Sequence, residues 1–106
     1  MKKAVLFRVK TEFVNEWKTW CLQIENELKN EAAKTLAEEN VLQEISILFK
    51  VNEDYYGLGF MDANGELLPA NLDKEINIKH KEMKKKCLEY VGDAQVLYSV
   101  KSTDLK

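Results

Sequence analysis

Apolar residues in this chain switch between two spacings, every second residue and every third or fourth, and the order of those switches leaves few folds open. Residues 4–9 alternate as a strand does, with Val5, Phe7 and Val9 on one side and Ala4, Leu6 and Arg8 on the other. Thr11 can cap a helix carrying Glu12 in its first turn. Phe13, Trp17, Trp20, Cys21, Ile24 and Leu28 then mark one face of an amphipathic helix, which continues through Ala32, Ala33 and Leu36 to Asn40, a residue suited to a left-handed close. A straight helix over residues 12–39 would run about 42 Å, against about 23 Å for a seven-residue strand, so its second half must bend or overhang.

Residues 41–51 alternate again, with Ile45, Ile47 and Phe49 on one side and Leu42, Glu44, Ser46 and Leu48 on the other. Asn52-Glu53-Asp54 is a short polar turn, and residues 55–61 complete a hairpin whose Gly57 and Gly59 share a face that something approaches closely. Asn64-Gly65 is the strongest turn signal of the chain. From 73 to 91, Ile76, His80, Met83, Cys87 and Val91 fall at helical spacing, Gly92 can end that helix, and residues 95–101 read as a last strand through Val96, Tyr98 and Val100. Residues 102–106 are expected to fray.

The order is β-α-β-β-α-β. Right-handed crossovers then place both helices on one face of a four-stranded antiparallel sheet, the split βαβ or ferredoxin-like arrangement of an α+β protein. With 106 residues, 45% of them hydrophobic, the chain holds one such domain, spanning residues 1–106.

A formal charge of −2 gives no general attraction for nucleic acid or anionic lipid. The Lys84-Lys85-Lys86 run is flanked by Glu82 and Glu89 and reads as a solvated face, and the aromatic stacking motifs of RNA-recognition sheets are not evident. No apolar run approaches the roughly 20 residues that span a bilayer, and Arg8 interrupts the apolar start too early for a signal peptide, so a cytoplasmic protein is expected. Cys21 and Cys87 lie in helical apolar stripes, where buried reduced thiols are ordinary. With one histidine, no zinc-ligand spacing, no calcium loop around Asp62, Asn64 and Glu66, and no glycine-rich phosphate loop, neither metal nor cofactor is expected.

Taking the uniformly apolar sets as helix-facing assigns Val5, Phe7, Val9, Ile45, Ile47 and Phe49 to the covered side of the sheet. The uncovered side then holds Ala4, Leu6, Arg8, Leu42, Glu44, Ser46 and Leu48, while the parity of the third and fourth strands stays open. A monomer seldom exposes such aliphatic groups, so a two-fold homodimer through the open sheet is expected.

The element order and the segments Phe7-Arg8-Val9-Lys10, Glu16-Trp17-Lys18-Thr19-Trp20, Ile78-Lys79-His80-Lys81-Glu82 and Lys86-Cys87-Leu88-Glu89 resemble an uncharacterised bacterial family of small proteins in the dimeric α/β-barrel superfamily. The resemblance implies a dimeric barrel and no assigned activity. Wider superfamily members include sugar mutarotases, antibiotic-type monooxygenases and stress-responsive barrels, but no superfamily catalytic set maps onto these residues.

Arg8 is the only arginine beside fifteen lysines, which makes it a candidate clamp for a carboxylate or phosphate; an ion pair with Glu44 or a second subunit is the simpler role. Glu44, mid-strand on the presumed interior, is a candidate general base if left unpaired. His80, the sole histidine, could transfer protons, yet its stripe faces away from Arg8 and Glu44, and a hydrogen-bonded core histidine is the plainer reading. Tyr98 is a candidate pocket wall, whereas Tyr55 and Tyr56 read as packing, and Trp17 and Trp20 as core. These residues support two functions: a barrel binding a small anionic or polar metabolite through Arg8, Glu44 and Tyr98, or an interaction module whose sheet only dimerises.

Overall fold

The computed structural model describes all 106 residues. Strand β1 (Lys2–Val9) leads through a single turn of tight helix at Thr11–Phe13 into α1 (Val14–Glu25) and α2 (Lys29–Glu38). Strands β2 (Val41–Val51) and β3 (Asp54–Ala63) form a hairpin, and α3 (Glu75–Cys87) precedes β4 (Leu88–Ala94). The sheet is antiparallel in the order β2-β3-β1-β4, compatible with a ferredoxin-like fold, although three helices rather than two accompany it.

The long helical pattern breaks where its length requires. The Leu28 amide donates to the carbonyl of Gln23, five residues back, and the Asn26 side-chain amide donates to Leu22, so α1 closes and α2 starts on a new axis. Asn40 ends α2 in the left-handed region, at φ 61°, and its side-chain amide donates to the Glu66 carbonyl, tying the α2–β2 corner to the loop after β3.

Register settles which side chains share a face. Phe7 lies opposite Gly57, and Gly57 opposite Leu48; Leu6, Leu58 and Ile47 form the parallel row of the other parity. Phe7 and Leu48 pack against the core of Val9, Val14, Trp17, Trp20, Cys87 and Leu88, so the helix side of the sheet carries Val5, Phe7, Val9, Gly57, Gly59, Leu48, Ser46 and Glu44. The parity expected for β1 holds, and that expected for β2 is reversed: Ile45, Ile47 and Phe49 face away from the helices and remain 40–45% exposed. The glycines explain the reversal. The Phe7 ring and a Val9 methyl group lie over Gly59 and Gly57, within 3.6 Å of where a Cβ would stand, and Leu48 joins them on that side.

The last helix and strand also differ from expectation. Helix α3 ends at Cys87 rather than at 91, because Leu88 takes extended backbone (φ −116°, ψ 147°) and pairs with Val9, burying its side chain in the core. Leu88–Ala94 pairs with Ala4–Val9 of β1, with a bulge between Leu6 and Phe7. Residues 95–101, expected as the fourth strand, pair with nothing and run beyond the sheet, with Leu97 and Tyr98 each 84% exposed.

Candidate functional site

The reversed parity of β2 separates the residues expected to work together and unites two expected to be apart. Arg8 stays on the open face, where one guanidinium nitrogen donates to Asp54 at 3.3 Å and the other approaches Glu89 at 3.9 Å. The expected Arg8–Glu44 pair is therefore replaced by two carboxylates, one from the start of β3 and one from β4, both on the open face beside Arg8. Tyr98 lies on the unpaired segment after β4 with its side chain largely in solvent.

Glu44 instead faces the helices. It joins His80 in a cleft of about 400 Å³ between α2, α3 and the β2–β3 edge, whose polar wall also includes Glu39, Asn77, Lys81 and Lys84. Met61, Leu36 and Leu72 provide its apolar surface. The cleft is mainly polar, gathering several hydrogen-bonding and charged groups in one partly open concavity.

His80 is held there from behind. The indole N–H of Trp20 donates to Nδ1 of His80 at 2.9 Å, and the Trp17 ring stacks on the imidazole at a centroid distance of 6.1 Å. Indole nitrogen can only donate, so Nδ1 must be the unprotonated acceptor and the neutral ring carries its proton on Nε2. Burial, with the Lys84 ammonium adding to it, lowers the histidine from 6.5 to about 4. At neutral pH His80 is thus an uncharged imidazole of one tautomer, with a single N–H left to offer.

The carboxylates shift the other way. Loss of water raises the Glu44 carboxyl above its ordinary value, only partly opposed by Lys84. Glu39 is raised by burial first and by the Glu44 charge second, with Lys84 opposing. Glu39 and Asn77 were not singled out by the sequence, and Lys84, read there as part of a solvated face, instead lines the cleft; no local signal shows that α2 and α3 meet over β2. Expectation and structure agree on Trp17 and Trp20, which are 6% and 1% exposed and form the centre of the core.

The remaining sequence candidates are accounted for by local partners. Asp62 pairs with Lys2 at 3.4 Å, and Lys86 pairs with Glu16 at 2.5 Å, beside the Phe13 ring. Cys21 and Cys87 are free thiols, and no group of three or more His, Cys, Asp or Glu is gathered as a metal ion needs. No helix is long and apolar enough to cross a membrane. Compared with family models, curated proteins and solved structures, the chain finds no match.

Proposed function

We propose that this protein is a small homodimeric α/β barrel that binds a small polar metabolite in the cleft between α3 and the β2–β3 edge. The observation that carries this reading is the pairing in one concavity of a neutral, tautomer-fixed imidazole with a carboxyl that has lost part of its hydration. His80 supplies a donor, Glu44 an acceptor that can also take a proton, and Lys84 and Asn77 further donors. Such a set suits a compact molecule bearing hydroxyl or carbonyl groups, with the ammonium groups of Lys81 and Lys84 favouring one that also carries a negative charge. Arg8, already balanced by two carboxylates, takes no part in it.

The test is a thermal-shift panel of small hydroxy acids, keto acids and sugars on the purified chain. A ligand at one hundred times its Kd stabilises the native state by about 2.7 kcal/mol, a readily measured rise in Tm. The reading requires at least one compound that raises Tm in the native chain and fails to do so in Glu44→Gln. A panel without effect, or one acting equally on both chains, overturns it.

A second reading, a dimerisation module with no ligand, is favoured by one separate observation: the open sheet face is apolar and its lone arginine is neutralised. It predicts a dimer with no response to the panel.

A further inference from the structure

Two parts of this chain have the makings of a strand pair and neither has its partner. Residues 95–101, Gln-Val-Leu-Tyr-Ser-Val-Lys, alternate as a strand does, lie outside the sheet, and expose Leu97, Tyr98 and Val100 by 84, 84 and 74%. Strand β2 stands at the opposite edge, eleven residues long, bonded only to β3, with Ile45, Ile47, Phe49 and Val51 exposed. A long apolar edge of this kind is a template for another strand.

We propose that residues 95–101 of one copy add antiparallel to the β2 edge of a second copy, and reciprocally, so that the dimer is an exchange of strands. The segment cannot serve its own β2. Three strand spacings, about 14 Å, separate the two edges, and crossing them would consume about four of its seven residues. Folding back on β4 would need a tight turn at Ala94-Gln95, where neither residue favours one, while Gly92 and Asp93 are already paired with Leu6 and Val5.

The two sequences also match. Placing Lys101 opposite Glu44 sets Val100 against Ile45, Tyr98 against Ile47 and Val96 against Phe49, all on the open face, with Leu97 against Leu48 on the helix side. Every apolar side chain meets an apolar one, and the only cation of the segment meets the only acid of β2. The parallel alternative aligned on Tyr98 and Ile47 brings Lys101 level with Lys50 instead. The exchange also carries the Lys101 ammonium of the second copy to Glu44, at the wall of the proposed cleft.

This inference rests on the homodimer reading, and the experiment separates the two. Light scattering and sedimentation compare the full chain, a chain ended after Ala94, Lys101→Glu, Glu44→Lys and the double charge reversal. The full chain is a dimer; the shortened chain is a monomer; each single reversal weakens the dimer about tenfold, through two mispaired sites, and the double reversal restores it to within about threefold. Where shortening unfolds the chain, oxidising a mixture of Tyr98→Cys and Ile47→Cys chains yields a disulfide between copies. A shortened chain that remains a folded dimer, or an intact dimer that forms no such disulfide, overturns the exchange and leaves the homodimer standing. A monomeric full chain overturns both.

Discussion

The Trp20 indole donates to Nδ1 of His80 across 2.9 Å, joining α1 to α3 through a nitrogen that cannot be protonated while the bond exists. This one contact ties the tautomer, the charge and the placement of the cleft histidine to the packing of the core.

Its first consequence is a pH dependence of stability. The folded-state value of His80 lies at about 4, below the 6.5 of an unfolded chain, so between those values the unfolded state binds the proton and the native state does not. Stability from this group is fully present above pH 6.5 and is lost as pH falls toward 4, by about 3 kcal/mol at most. As the only histidine, His80 gives one imidazole signal in a proton NMR titration. That signal should titrate near 4 in the native chain and move upward in Trp20→Phe, which removes the donor. A native midpoint near 6.5 would contradict the arrangement.

Glu44 should act in the opposite sense. Its carboxyl is raised by burial, so the folded state holds the proton more tightly, and stability falls as pH rises from the unfolded carboxyl value through the folded one. Glu44→Gln removes this slope and should raise Tm at pH 7 relative to the native chain at dilutions where single copies prevail, so that no Lys101 of a second copy faces the carboxyl, while leaving the acid side dominated by His80. Chemical denaturation at a series of pH values reads both slopes. A Glu44→Gln chain less stable than the native one at pH 7 would show that the carboxylate is held by partners that outweigh its lost hydration.

Much of this architecture was legible in the alternation of spacings, because period two and period 3.6 record which faces are covered. The strand positions of residues 4–9 and 41–51, the break in the first helix and the left-handed Asn40 follow from local chemistry. The face of β2 does not, because a single strand with Ile45, Ile47 and Phe49 opposite Leu48, Ser46 and Glu44 carries no mark of which set meets the helices. That mark lies in β3, where Gly57 and Gly59 open space for Phe7 and draw Leu48 to the same side. The end of α3 was hidden for another reason. Val91 happens to continue the stripe of Met83 and Cys87, while Leu88 is captured by pairing with Val9, a contact 79 residues distant in sequence. The cleft was invisible for the same cause: Glu39, Glu44 and His80 come together only through the long-range packing of α2 and α3 on the sheet edge.

Arg8 should prove nearly silent. Its ion pairs to Asp54 and Glu89 are both substantially exposed, so Arg8→Ala should cost less than about 1 kcal/mol in urea unfolding. Adding inorganic phosphate should shift the Tm of the native chain and of Arg8→Ala equally, since two carboxylates already occupy the guanidinium. A gain confined to the native chain would return Arg8 to the role of an anion clamp.

The open face offers the sharpest test of assembly. Ile47 sits between Leu58 of β3 on one side and the free edge of β2 on the other, 45% exposed on a face that no helix covers. A stable interface buries about 1,200–2,000 Å² in total, and a charge at its centre remains unpaired in the dimer while staying solvated in the single chain. If the proposed homodimer forms through this face, Ile47→Asp turns it into a monomer by light scattering, with an unchanged far-ultraviolet circular dichroism spectrum, because the side chain contributes little to the core of one copy. Leu22→Asp, on the exposed side of α1, is the control: Leu22 is 59% exposed and lies away from the sheet, so its replacement should leave the oligomeric state of the native chain unchanged. If Ile47→Asp stays dimeric, the uncovered sheet is not where two copies meet.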